Sequence, residues 1–252
     1  MKKYIFAATI FFASTAALFS QAVFSPSIGG GTVLGGVFTR YSLSANGHVA
    51  AMSARQQVNQ FDYGVFAFFS TMYTTLSVSF QNGVNSWREP AYVTGIDHNW
   101  GGSGRGWEQV LSIGFLGRVP FTLNGRLTVF PMLGIEYHIA LLQRRNANGF
   151  VYDRASSNGA AMGEHDRDNN PFQLSDFNAF WIMLGGGLEF DLSDRVFLRS
   201  DLLYGVRLMT ASERKNLGLI DQMTGDSSPR LGGLTTRPSL RFSAGWRIGV
   251  TS

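Results

Sequence analysis

The chain has 252 residues, 30 glycines, no cysteine, a formal charge of +4 and only 15% charged residues, against about 25% in an average soluble domain. Without cysteine there is no disulfide framework, zinc–thiolate site, thiol nucleophile or acylated N-terminal cysteine. Mean hydropathy is near zero, and past residue 22 no run approaches the roughly 18 apolar residues of a membrane helix, which excludes a helical membrane protein.

The N-terminus reads as an export signal. Met1-Lys2-Lys3 precedes an apolar run from Tyr4 to Phe19, and Ser20-Gln21-Ala22 supplies the small-x-small exit of a signal peptidase site. Residues 1–22 are therefore expected to be a cleaved signal peptide, and residues 23–252 the mature domain. Because Lys2 and Lys3 leave with that segment, the basic balance is not a nucleic-acid footprint, and no nucleic-acid partner is expected.

Beyond it the dominant pattern is alternation with period two. Val33 to Ser44 places Val33, Val37, Tyr41 and Leu43 on one parity, with Arg40, Ser42 and Ser44 on the other. Phe61 to Phe69 sets Phe61, Tyr63, Val65, Ala67 and Phe69 against Asp62 and Gly64, and Thr75 to Gln81 sets Leu76, Val78 and Phe80 against serines. Trp107 to Val119 opposes Leu111, Ile113 and Phe115 to Glu108, Ser112, Gly114 and Arg118. Arg126 to Leu142 opposes seven apolar residues, Leu127 to Leu141, to Arg126, Thr128, Gly134, Glu136 and His138. Phe180 to Leu192 opposes Ile182, Leu184 and Leu188 to Gly185, Gly187, Glu189 and Asp191. Val196 to Thr210 opposes Leu198, Leu202 and Tyr204 to Arg199, Asp201, Gly205 and Arg207. Ser239 to Val250 opposes Leu240, Phe242, Trp246 and Ile248 to Arg241, Ser243, Gly245 and Arg247.

Most of these eight runs reach 9 residues, the length of a tilted strand crossing a bilayer, whereas soluble strands average about 5–6. Short links near 70–74, at Asn124-Gly125 and at Ser193-Asp194 alternate with long polar ones over about 45–60, 82–106, 143–176 and 211–236. Short turns at one end and long loops at the other, with an even strand count, predict an all-β, eight-stranded, antiparallel up-and-down transmembrane barrel.

The charges sharpen this. Arg40, Asp62, Glu108, Arg118, Arg126, Glu136, Glu189, Asp191, Arg199, Asp201, Arg207, Arg241 and Arg247 all fall opposite the apolar parity. An arginine facing lipid at the midplane costs roughly 2–4 kcal/mol. These residues, with His138, are therefore expected to form an ion-pair network inside the barrel, bidentate guanidinium satisfying two carboxylate oxygens at once. A soluble ligand carrier with its charged face in water is the competing reading. The mature chain's single lysine, Lys215, and the glycines among the charged-face positions argue against it. Tyr41, Phe61, Tyr63, Trp107 and Tyr137 toward the long loops, and Tyr73, Phe121, Phe190 and Trp246 toward the short turns, suggest two aromatic belts.

The hairpin from Leu184 to Arg199, reading LGGGLEFDLSDRVFLR, and the segment Pro131 to Tyr137, PMLGIEY, resemble the small outer-membrane barrels of the OmpA, OmpX and OmpW kind. The resemblance implies an integral outer-membrane protein surrounded by lipid, monomeric, whose four external loops meet a ligand or host surface. Its OmpW-like members imply the alternative, a passage for small or hydrophobic solutes. Phe66, Phe68, Phe130, Met132, Trp181 and Met183 lie on the inward parity and suit either an apolar passage or a plug. In one departure from the family pattern, Trp246 stands six residues before the chain closes on Ser252. Pro131 within a strand is expected to mark a bulge.

No enzymatic constellation stands out. His138 beside Glu136 could pair a base with its orienter, but no nucleophile accompanies them. Lipid-modifying barrels carry Ser/His chemistry on the lipid-facing wall, while His138 falls on the inward parity. The run from Glu164 to Asn170 lacks the spacing of a calcium loop, His48 and His98 have no ligand pattern, and Gly29-Gly30-Gly31 is not followed by the lysine of a phosphate loop. Neither cofactor nor metal is expected.

Overall fold

The computed structural model describes residues 26–46, 51–94, 101–147, 150–154, 174–208 and 230–248. The signal segment, His48, His98 and the Glu164–Asn170 run lie outside the described residues. Ten strands appear: β1 (Ser27–Asn46), β2 (Ala51–Ser70), β3 (Thr74–Thr94), β4 (Gly101–Arg118), β5 (Phe121–Asn124), β6 (Leu127–Ala147), β7 (Phe150–Arg154), β8 (Ala179–Asp191), β9 (Val196–Arg207) and β10 (Arg230–Arg247). Eight of them pair in a ring, β1-β2-β3-β4-β6-β8-β9-β10, every contact antiparallel, and β10 returns to β1. A closed ring leaves no sheet edge at membrane depth, as a strand surrounded by hydrocarbon requires.

The short turns are built from side chains that cap their own backbone. Thr71 Oγ1 accepts from the Tyr73 and Thr74 amides at 3.3 and 3.1 Å, Asn124 Oδ1 from Arg126 and Leu127 at 3.0 and 2.8 Å, and Ser193 Oγ from Val196 at 3.1 Å. These Asx- and Ser/Thr-turns confirm the three short links. Strand β5 pairs with β6 outside the ring, so the Asn124-Gly125 hairpin is a small flap at that end.

The long links are much shorter than their polar composition suggests. Strands β1 to β4 run 18–21 residues each, and β1 and β2 remain paired as far as Asn46 and Ala51. Most of 45–60 and 82–106 is therefore strand, rising past the apolar zone, where a polar outer face is favoured by water. Strands β8 and β9 are only 13 and 12 residues long. Among the described residues the wall is thus tall along β1 to β4 and low along β8 and β9.

Pro131 does not cause a bulge: its pairing to Gly186 is in continuous register. Its carbonyl accepts from Val119 at 3.3 Å, on the side where β4 has just ended, so the missing N–H falls where the ladder stops. The irregularity in β6 comes higher, at Leu141, which the β4 pairing skips between Ala140 and Leu142. The extra residue reverses the parity: Glu136 and His138 are buried below it and Gln143 above it.

Strand β1 corrects a second expectation. Ile28, Leu34 and Phe38 face outward, while Val33, Val37 and Thr39 are buried. The assigned parity of Val33–Ser44 is therefore reversed over its described half, and the side chains of Tyr41 and Leu43 lie outside those described.

Candidate functional site in the barrel lumen

The lumen fills in layers. At the short-turn end Arg247 Nη2 donates to Glu189 Oε1 at 2.6 Å and to Asp191 Oδ1 at 2.5 Å, while Arg118 Nη1 meets Glu189 Oε2 at 3.2 Å and its Nη2 caps the Thr71 carbonyl at 2.7 Å. Above them Arg199 Nε grips both Asp201 oxygens at 2.8 and 3.0 Å. Its guanidinium lies 5.2 Å from the Phe68 ring centre and 5.0 Å from that of Phe130, and Arg118 stands 5.1 Å from the same Phe130 ring. Cation–π contacts of this kind gain strength when desolvated.

The next layer centres on Glu136, which is 2% exposed. Its carboxylate accepts from Arg241 Nη2 at 2.8 Å, Ser112 Oγ at 2.5 Å and Arg237 Nη1 at 3.4 Å. Arg237 Nη1 also lies 2.9 Å from His138 Nε2. The same imidazole nitrogen stands 3.3 Å from Glu136 Oε1. Arg237 reaches Gln81 through Nη2 and Asp62 Oδ2 at 3.5 Å through Nε. Gln60 Nε2 then joins Asp62 Oδ1 at 2.7 Å to Glu108, and Arg207 lies 5.9 Å over the Trp181 ring.

Glycines admit this packing. A Cβ at Gly245 would stand 2.2 Å from the Phe197 ring, and one at Gly187 2.3 Å from both Phe130 and Asp201. The inward aromatic and methionine residues proposed from parity, Phe66, Phe68, Phe130, Met132, Trp181 and Met183, are all buried.

Twelve of the expected network residues, Asp62, Glu108, Arg118, Glu136, His138, Glu189, Asp191, Arg199, Asp201, Arg207, Arg241 and Arg247, face the lumen. Two do not. Arg126 is an exposed residue of the β5–β6 turn, outside the ring because the hairpin extends past it. Arg40 is exposed on the outer wall, two residues above Phe38, between exposed Gln57 and Leu234 on the neighbouring strands. Arg237 enters in their place, 0% exposed. Its position between a polar link and Pro238 hid it, but its parity with Arg241 was the available signal. Six arginines therefore face six carboxylates. Gln60, Gln81 and Ser112 are further members, invisible to a search for ions.

The burial of the described residues is inverted relative to a soluble protein. Among them 23 polar or charged residues are buried against 12 hydrophobic ones, while 34 large hydrophobic side chains are exposed. Along β2 the outward Phe61, Tyr63, Val65 and Phe69 cover about 26 Å of strand. At the short-turn end Phe121, Phe190 and Trp246 face outward, as Tyr137 does toward the other end. Such an outer face is stable only in hydrocarbon. The chain is a membrane-spanning β-barrel of the outer-membrane type.

No family model matches the sequence, and no curated protein matches it. Among solved structures the chain is similar to Ail, the attachment invasion locus protein of Yersinia pestis, at 9% identity and a TM-score of 0.31, covering 88% of this chain and 99% of that one. It is similar to the translocator domain of the autotransporter NalP from Neisseria meningitidis at 14% identity and a TM-score of 0.28, covering 98% of each. A Pseudomonas aeruginosa FadL homologue follows at 8% identity and 0.18, covering 88% and 90%. At these values the barrel assignment stands on its own strand pairing and burial.

Proposed function

We propose that this barrel is a monomeric, non-catalytic protein of the bacterial outer membrane, exported by its N-terminal signal, that presents a surface for interaction on the outside. The observation that carries the reading is the filled lumen. Arg199, Glu136, Arg237 and Arg241 are each at most 3% exposed and bridge opposite walls, which favours a plug over a passage. Buried charges with mutual hydrogen bonds hold a fixed position, because losing a partner is costly. His138, held between Arg237 and the Trp181 ring, fits a packing role better than that of a base.

The tall wall supports the interaction role. Residues 51–60 of β2 rise about 33 Å along the strand beyond Phe61. Above Thr236, β10 pairs only with β1 among the described residues, and β7 adds to β6 on the far side. Among the described residues the projecting sheet ends at β10 on one side and at β7 on the other, and strand edges there would offer main-chain groups to a partner strand. Planar-bilayer recording of refolded protein, with heat-shifted gel mobility confirming the fold, tests the reading. Silence is expected. Steady single-channel conductance from the folded fraction would replace it with the passage.

A further inference from the structure

We infer that the outer wall at the β1–β10 seam binds one lipid of the outer leaflet, a phosphorylated glycolipid with an acyl chain laid against Leu34, Phe38 and Phe61 and its phosphate against Arg105 and Arg40. The inference rests on the outer-membrane placement proposed above.

Three observations on the wall meet there. The first is a groove of about 710 Å³ whose apolar lining includes Leu34, Phe38, Phe61, Val84 and Leu202, all of them 41–64% exposed. At its floor Gly36 has the outward parity of Leu34 and Phe38 but no side chain; it is buried, and the Phe38 ring folds over it, 3.3–3.4 Å from where a Cβ would stand. The second is the backbone beneath. Between the Gly35–Ser239 and Phe38–Thr236 pairs, the β1–β10 ladder omits Gly36 and Val37. Opposite them stands Pro238, which has no N–H to donate.

The third is charge. Phe38, Asn59, Ser86 and Arg105 lie in one cross-strand row, paired in turn from β1 to β4, and all are exposed. This row bounds the groove on the side away from the short turns. Arg40 lies two residues further along β1, also exposed. Among strand residues with described side chains, Arg40 and Arg105 are the two exposed ions. They stand above an apolar zone and not within it. A hydrocarbon groove capped by polar donors and two cations matches one chain of an anionic lipid entered from the long-loop side. Guanidinium suits phosphate in particular.

The test uses the full-length mature barrel, folded in phosphatidylcholine vesicles doped with lipopolysaccharide or with phosphatidylglycerol, then released gently and weighed by native mass spectrometry. Wild type should retain one lipopolysaccharide. The variant R40Q/R105Q, whose substitutions are exposed and leave the lumen intact, should retain about tenfold less. Leu34→Trp, which fills the groove from its edge, should lower retention with both cations present. Equal retention by R40Q/R105Q overturns the inference, as does equal retention of phosphatidylglycerol, which would mean generic anion attraction. A dimer mass in place of the lipid adduct would assign the groove to a second copy and overturn it too. Fractionation of whole cells separates this from the parent reading: protein found outside the outer membrane defeats the placement even where the purified barrel holds the lipid.

Discussion

Replacing Glu136 by methionine keeps the side chain's length and removes the carboxylate on which one lumen layer converges. Arg241 loses a 2.8 Å contact, Arg237 one of 3.4 Å and Ser112 one of 2.5 Å. Arg237 retains Asp62 at 3.5 Å, but among the described residues Arg241 keeps a 3.5 Å contact to Ser77 and a ring 5.6 Å away. Breaking a buried pair from one side costs about 3–5 kcal/mol, or roughly two to three and a half decades in the unfolding constant. Adding Arg241→Met removes the stranded charge, so E136M/R241M should recover part of the loss, with a coupling energy of at least about 1.5 kcal/mol. Equilibrium urea unfolding from lipid vesicles, followed by tryptophan emission and by heat-shifted gel mobility, measures all three variants. A loss below about 1 kcal/mol for E136M, or strict additivity in the double variant, would refute the view that the lumen ions are desolvated and interdependent.

Depth in the membrane should govern the outer face. Leu184→Arg, at a 61% exposed position of β8, should cost about 2–4 kcal/mol, while Leu123→Arg in the flap beyond the ring should cost less than about 1 kcal/mol by the same vesicle titration. Gly185→Val should prevent folding to the heat-shifted form, because its Cβ would stand 2.0 Å from the Leu202 carbonyl, whereas Gly125→Ala, with nothing within 4 Å, should fold as wild type. Arg199→Lys keeps the charge but gives up the planar stack between Phe68 and Phe130 and the fork on Asp201. A loss of about 1–3 kcal/mol is expected, and wild-type stability would show that charge alone matters there.

Much of the barrel was legible because lipid and lumen sort side chains by a rule of period two. From Phe61 to Phe69 and from Val196 to Arg207 the alternation is complete, and every inward ion of those runs is found inside. The rule weakens where its cause does. Above the apolar zone both faces meet water, and that loss of contrast made strand look like loop over 45–60 and 82–106. In β1 the buried residues include Val33 and Val37, so the parity read from them was reversed and Arg40 was assigned to the wrong side. One extra residue at Leu141 reverses the parity of β6, and a sequence scanned for simple alternation passes over it. Arg237 was missed for a different reason: Pro238 reads as a strand breaker, yet here it stands at a gap in the pairing with β1. The hydrogen-bond partners Gln60, Gln81 and Ser112 were hidden because an uncharged polar residue on an inward face looks the same whether it binds or merely fills.

The gap beside Gly36 lies in the ladder that joins the first strand to the last, and this bears on how the ring comes to be closed. That seam is paired above and below the gap, and at the gap it is reinforced from within the bore: Arg237 of β10 reaches Gln81 of β3, 156 residues away, and Glu136 of β6, 101 residues away. Contacts of such separation carry a large loop-closure cost and form late. Joining the ends of the chain and filling its interior therefore draw on the same late contacts.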